Sequence, residues 1–325
     1  MTAFGFDAIP EDVDDIIEDD YEEPEKLEPR TQAGEIWHLG DHILMCGNSA
    51  SAEDQARLFA GSPPKMVFTD PPYGVAIGDK NKALNSIGRG GRCDTNIEGD
   101  TLDADELYKI LVQAFTHLRE NAAEDTAYYV SSPQGGELGL MMMMMMKDAG
   151  LPVRHMLIWV KSSPCFSMGR LDYDYRHEPI FYTWTKKHDF YGGYSNTVID
   201  DTKPLEKMNK AELKELVHAL QEQKETSVIY CDKPLKADLH PTMKPVKLVA
   251  RFIINSSRKG DTVGDIFGGS GTTLIACEQL GRRCRMMELD PHYADVIIDR
   301  WEKFTGKEAV RDEGVDMEKE NKGSM

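Results

Sequence analysis

From residue 245 onward the sequence alternates between two hydrophobic periods, and this constrains the fold more than any other feature. Helical spacing over 245–257 gives way to an apolar strand at 262–266, a helix at 271–280, a strand at 283–288 and a helix at 291–304. Strands separated by helices pair in parallel rather than as hairpins, and the crossover helices then cover both faces of the sheet. The expected class is therefore α/β, a doubly wound and mostly parallel sheet. The pattern is looser upstream. Ile36 to Cys46 reads as two short strands around Gly40-Asp41, 51–60 as a helix, and Lys65 to Thr69 as a short buried strand. A helix at 103–120, a strand at 126–131, a helix at 135–149 and strands at 153–161 and 178–184 follow. The run Met141 to Met146 suits a helix buried on more than one side. There is no internal repeat.

The chain has 325 residues, 40% of them hydrophobic, enough for a proper core. Its net charge of −18 at first argues against a nucleic-acid partner. Much of that charge is local: residues 1–30 carry 12 Asp/Glu against 2 Lys/Arg, and 311–325 carry 5 against 3, leaving −6 on 31–310. A DNA-binding face would then be a local basic patch. Residues 1–34 read as an acidic, disordered leader and 306–325 as a polar tail. Residues 74–100 lack periodicity but carry Lys80, Lys82, Arg89 and Arg92; such a loop reads as a mobile lid with affinity for phosphate. None of the six cysteines forms a C-x-x-C pair, and no His cluster completes a zinc spacing, so no metal is expected. No apolar run approaches the roughly 20 residues of a membrane helix. The start lacks the basic-then-apolar order of a secretory signal. The expectation is a soluble, cytoplasmic protein with no membrane partner.

Two motifs carry chemistry. The first, Asp265-Ile266-Phe267-Gly268-Gly269-Ser270-Gly271-Thr272-Thr273, follows a strand and opens a helix. Its glycines let backbone turn tightly and approach a ligand without Cβ interference. Glu288 lies 17 residues after Gly271, at the end of the next strand, the placement that holds a ribose by its hydroxyls. No Lys occupies the P-loop position, which argues against a nucleoside triphosphate. A tight strand-to-helix turn with no ligand is the plainer alternative. The second motif, Asp70-Pro71-Pro72-Tyr73, closes the strand at 65–69. Two prolines remove two N–H donors, so the site accepts hydrogen bonds and donates few. Asp70 adds a carboxylate acceptor and Tyr73 a flat aromatic face, a combination that suits a planar base bearing an NH2 group. The alternative is an ordinary Pro-Pro turn capped by Asp.

With D-P-P-Y ahead of F-x-G-x-G, the sequence resembles the beta class of DNA amino-methyltransferases. His240-Pro241-Thr242-Met243-Lys244-Pro245 resembles that family's cofactor segment, and Gly47-Asn48-Ser49 its G-D-S, with Asn48 in place of the usual Asp. Trp159-Val160-Lys161 and Tyr175-Arg176-His177-Glu178 also fit, so the resemblance spans roughly 35–304. The acidic leader resembles that of phage or prophage members.

The resemblance implies a seven-stranded Rossmann-like methyltransferase sheet with a small inserted target-recognition region. On it, 35–185 is the catalytic half, 186–238 the insert, and 239–305 the cofactor half of the same domain. It implies S-adenosylmethionine as cofactor, S-adenosylhomocysteine as product, and double-stranded DNA as partner. Asp70, Pro71, Pro72 and Tyr73 become catalytic, with Tyr73 stacking on a flipped base while Asp70 and the Pro71 carbonyl accept its amino hydrogens. Phe267, Gly268, Gly269, Ser270 and Gly271 would wrap the methionine end of the cofactor, with Asp265 and Thr272 beside it and Glu288 on the ribose. Asn48 and Asp70 would border the cofactor. Thr242 and Lys244 would lie near its amino-acid moiety, Lys244 pairing with the carboxylate. Asp290 reads as a helix N-cap ahead of Pro291, His177-Glu178 as a structural pair, and Trp159 and Phe166 as core or base-pocket residues. In the insert, Lys186, Lys187, Lys203, Lys207, Lys210 and Lys214 offer points for phosphates. Its helix near 209–223 reads equally as a homodimer contact or a solvated face.

The expected activity is site-specific methylation of adenine N6 in DNA. Three rivals remain: an N4-cytosine enzyme, whose branch usually has Ser where Asp70 stands; an RNA or protein amine methyltransferase, which tends to have Asn there and no insert; and a catalytically silent DNA-binding protein.

Overall fold

The computed structural model describes residues 12–24, 26–73, 104–161, 175–192, 210, 228–231 and 243–312. The chain begins with β1 (Ile36–Leu39), β2 (His42–Cys46), α1 (Ala52–Leu58) and β3 (Met66–Thr69). It continues through α2 (Ala104–Asn121), β4 (Ala127–Ser131), α3 (Gly136–Asp148), β5 (His155–Val160), β6 (His177–Trp184) and β7 (Val228–Tyr230). It ends with α4 (Val246–Ser256), β8 (Thr262–Asp265), α5 (Thr272–Leu280), β9 (Arg283–Glu288), α6 (Pro291–Thr305) and β10 (Val310–Arg311). The strands form one sheet in the order β10-β1-β2-β9-β8-β3-β4-β6-β5-β7. The five from β2 to β4 run parallel, so their carboxyl ends share one edge. β6 runs antiparallel between β4 and β5 and brings its first residues to that same edge.

The sheet alternates its side chains between two cores, as the period of a strand requires. Phe68, Tyr129 and Tyr182 face α4, α5 and α6, whereas Val67, Tyr128 and Phe181 face α1, α2 and α3. This is the expected doubly wound α/β class, with ten strands described rather than seven. The seven from β2 through β5 make the crossover core. The additions are β1 with the two-residue β10 at one margin and the three-residue β7 at the other. Helix ends follow local chemistry. Gly271 (φ +84°) opens α5 and Gly281 (φ +65°) closes it. The Asp290 side chain accepts from the His292 N–H ahead of α6, as expected of an N-cap before Pro291.

Two expectations need correction. The methionine run is buried on one face only: Met142, Met145 and Met146 are buried, while Leu140, Met143 and Met144 are exposed. A helix lying on a sheet has one inner stripe, and six consecutive residues circle its axis more than once. The acidic leader is also not free over its described part. Ile16 sits in the core at 1% exposure, and Glu18, Asp19 and Tyr21 bond to α4 and α6. Its charges find helix N–H groups and an arginine that composition could not reveal. The expected lid at 74–100 and the helix near 209–223, Lys210 apart, lie outside the described residues.

Four rings tie β3, β4 and β6 to α4. Phe252 stacks on Tyr129 at 4.6 Å and on Phe68 at 5.7 Å, and Tyr129 stacks on Tyr182 at 4.5 Å. Phe252→Ala should therefore destabilise the fold by about 3–5 kcal/mol, read as a lowered urea midpoint with an unchanged slope; a loss below ~1 kcal/mol would contradict this packing.

Candidate active site

Both motifs arrive at the carboxyl edge of the sheet on neighbouring strands. β3 and β8 pair in parallel, so Asp70 and Asp265 leave the sheet side by side. The Thr69 hydroxyl donates to Asp265 Oδ1 at 2.8 Å, and the Phe267 N–H donates to the same oxygen at 3.2 Å. Asp265 thus joins the end of β3 to the start of the glycine-rich turn. Burial pushes its carboxyl up to about 7 against the pull of these hydrogen bonds.

The glycine-rich turn is packed where a side chain would otherwise stand. A Cβ on Gly268 would meet Met286 Cγ at 2.9 Å, and one on Gly271 would meet Ile297 at 3.1 Å. Gly271 also needs its left-handed backbone, so the turn is closed to larger residues on its inner side. Glu288, on the adjoining β9, accepts from Gly269 N–H at 2.7 Å and from Asp290 N–H at 3.0 Å. Burial raises its carboxyl to about 7 against the pull of the backbone N–H groups it accepts from, and these leave it a further lone pair.

Asp70 is the most constrained member. Its Oδ1 accepts from the Tyr73 hydroxyl at 2.6 Å, and its Oδ2 accepts from the Lys244 ammonium. Lys244 also reaches Glu178 Oε2 at 3.4 Å, and Glu178 Oε1 accepts from Lys161. The four groups alternate in sign, Asp70, Lys244, Glu178, Lys161, and come from β3, the segment before α4, β6 and β5. Burial works against the charge of Lys244, but the two carboxylates outweigh it and its pKa is raised. Burial and then the Asp70 charge raise the Tyr73 phenol, which remains a donor.

The sequence-derived candidates divide accordingly. Asp70 and Tyr73 touch, and Asp265, Phe267 and Glu288 are joined to the same edge by hydrogen bonds. The Thr272 hydroxyl donates to the Lys244 carbonyl at 3.3 Å, linking the turn to the segment before α4. The Lys244 ammonium is held by Asp70 and Glu178. A buried ammonium takes the nearest carboxylates, and β6 delivers Glu178. Glu178 and Lys161 are therefore site members. Their signal was charge at the ends of two apolar strands, and the expected pair of Glu178 with His177 hid it. Asn48 follows Gly47, whose N–H donates to the Glu288 carbonyl at 2.9 Å; its own side chain is exposed, with Oδ1 accepting from Ala50 N–H at 2.9 Å. Trp159 belongs to the core, its indole donating to the Cys231 carbonyl at 2.9 Å. Thr242 and Phe166 lie outside the described residues. Among the described residues, no group of three or more His, Cys, Asp and Glu side chains could hold a metal ion, and no helix is long and apolar enough to cross a membrane.

Residues 65–299 match the DNA methylase family of N6 and N4 methyltransferases, and the chain belongs to that family. It is similar to the type II methyltransferase M2.MboI of Moraxella bovis, 24% identical over 244 residues that cover 74% of this chain and 81% of the relative. It is also similar to the type II methyltransferase M2.DpnII of Streptococcus pneumoniae, 24% identical over 242 residues that cover 73% and 82%. Among solved structures it resembles a candidate DNA modification methylase of Thermus thermophilus, with a TM-score of 0.50 and 19% identity, covering 82% of this chain and 97% of the other. That likeness concerns the fold.

The raised carboxyls give a pH signature. A carboxyl raised in the folded state keeps a proton that the unfolded chain has lost, so its contribution falls as pH rises from the unfolded value toward the folded one. For Glu288 that window runs from 4.5 to about 7. Between pH 5 and pH 8, Glu288→Gln should gain about 2–3 kcal/mol on the parent in unfolding free energy; parallel pH profiles would contradict the burial of this carboxyl.

Proposed function

We propose that this DNA methyltransferase acts at specific sites in double-stranded DNA and methylates N6 of adenine with S-adenosylmethionine. One observation carries the reading: an acceptor carboxylate, Asp70, and a glycine-rich turn leave adjacent parallel strands and are stitched together through Thr69 and Asp265. In open α/β sheets this edge is where ligands bind. The type II methyltransferases it resembles set the chain beside restriction and modification of DNA.

The residues present fit the cofactor. Gly268 and Gly271 let the turn pack its inner side directly on Met286 and Ile297, and Glu288 lies against Gly269 with a lone pair left for a ribose hydroxyl. Phe267, Gly268, Gly269, Ser270 and Gly271 would hold the methionine end, with Asp265 and Thr272 beside them. When bound, S-adenosylmethionine supplies an electrophilic methyl group. The chain's own part is to prepare the nucleophile. An adenine amino group is a weak nucleophile because its lone pair is shared with the ring. Asp70, and the Pro71 carbonyl with it, would accept the amino hydrogens and localise that lone pair on nitrogen. Tyr73 and Lys244 take one lone pair from each Asp70 oxygen and leave one on each for the base. They also fix the carboxylate in place, so catalysis is mostly positioning and electrostatics. As the nearest base, Asp70 can take the proton that the methylated amine gives up.

The carboxylate favours adenine: the N4-cytosine branch usually carries Ser where Asp70 stands. Methylation of unmodified genomic DNA, read by single-molecule sequencing, should show N6-methyladenine in one short motif. N4-methylcytosine would overturn the base assignment, and unmodified DNA would overturn the reading as a whole. Glu178→Gln weakens the grip on Lys244 and should lower kcat by about 10–100-fold with cofactor affinity unchanged; an unchanged kcat would remove Glu178 from the site.

A further inference from the structure

The leader contacts the molecule at points close to the cofactor turn. Ile16 is buried in the core, and the Ile17 backbone N–H and carbonyl both bond to the Gln279 side-chain amide of α5 at 3.0 Å. Glu18 accepts from Val246 N–H at 2.8 Å and Lys247 N–H at 2.9 Å. These are the first N–H groups of α4, whose N-cap, Pro245, has no side-chain acceptor to offer. The cap is thus supplied by a residue 228 positions away and fixes the helix start two residues beyond Lys244.

Asp19 reaches the turn through one intermediary. Its two oxygens accept from Arg300 Nε and Nη2, both at 2.6 Å, in a fork-to-fork pair. Arg300 Nη1 donates to the Ser270 carbonyl at 2.7 Å, inside the glycine-rich turn. Arg300 has 2% of its side chain exposed and Asp19 8%, so the pair is shielded from water and salt. The guanidinium is held at a single angle by the Asp19 carboxylate on one side and by the Ser270 carbonyl, with the Ser270 and Thr272 hydroxyl oxygens at 3.4 Å, on the other.

We propose that residues 16–19 form a strap belonging to the cofactor-binding machinery, in which Asp19, through Arg300, and Glu18, through the start of α4, are positioning residues for the glycine-rich turn and for Lys244. The inference rests on the reading of that turn as the S-adenosylmethionine site. Helix α5 opens on glycine, and neither it nor α4 has a side-chain cap of its own; without the strap both segments of the site lose their outer support. Through the turn Asp19 acts on cofactor affinity, whereas Glu18, through Lys244 and Asp70, acts on the methyl-transfer step.

The test compares Asp19→Asn with Tyr21→Phe. Tyr21 lies on the same strap, but its hydroxyl donates at 2.7 Å to Asp299, which has no bond to the turn in the structure described. In the full-length protein, Asp19→Asn should raise the S-adenosylmethionine Kd by calorimetry, and its KM, about tenfold, with kcat unchanged. In the ligand-free protein, amide exchange over 268–274 should quicken in Asp19→Asn and not in Tyr21→Phe. Should Asp19→Asn not fold, Glu18→Gln should quicken exchange over 246–249 and lower kcat through Lys244, and no change in either would overturn the strap's role. Unchanged cofactor affinity together with unchanged exchange would overturn the strap's role, as would equal effects in Tyr21→Phe. If the parent takes up no S-adenosylmethionine, the functional reading fails, while exchange in ligand-free protein still decides whether Asp19 holds the turn.

Discussion

The site depends on a carboxylate and an ammonium that cannot be parted cheaply. Asp70 and Lys244 lie at the buried edge of the sheet, and breaking such a pair leaves an uncompensated charge. Lys244 is 7% exposed, and its second carboxylate, Glu178, is itself balanced by Lys161. This alternation lets four charged groups share a dry edge. It also sets the geometry, because the four groups come from four separate segments that must all be in register. The aromatic stack of Phe252, Tyr129 and Tyr182 lies under the same strands and keeps that register.

Around this centre the chain repeats one device: a buried side chain linking segments distant in sequence. Asp265 links β3 to the turn, Glu288 links the turn to the loop after β9, and Arg300 links the turn to the leader. The energetic logic is shared. Each accepting carboxylate satisfies backbone or hydroxyl donors that would otherwise be orphaned at a helix start or strand end. For Asp265 and Glu288 the cost is visible as raised carboxyls, and such perturbed groups cluster where a ligand is bound.

The sequence was legible where function is local in the chain. Strand and helix positions in 245–304 agree with the structure to within a residue or so at most ends, because period and capping residues such as Asp290 and Gly281 are written into short windows. The two motifs and their order stand in the sequence itself; that their strands, β3 and β8, are neighbours emerges only in the sheet. What could not be read depends on partners far along the chain. Nothing near Lys244 indicates that Asp70 and Glu178 will meet it, and nothing near Asp19 indicates Arg300. Composition described residues 12–24 as solvated charge because it cannot see the cations and helix starts that receive them. The two-residue β10 and three-residue β7 carry too few side chains for any period to register.

The central claim is that Asp70 acts on the base and leaves the cofactor to the glycine-rich turn. The most direct measurement pairs single-turnover methyl transfer to DNA with calorimetric titration of S-adenosylmethionine for Asp70→Ala. The account predicts that transfer falls by at least about 10²–10³-fold while cofactor affinity stays near that of the parent. Transfer at the parent rate, or loss of cofactor binding in step with activity, would contradict it.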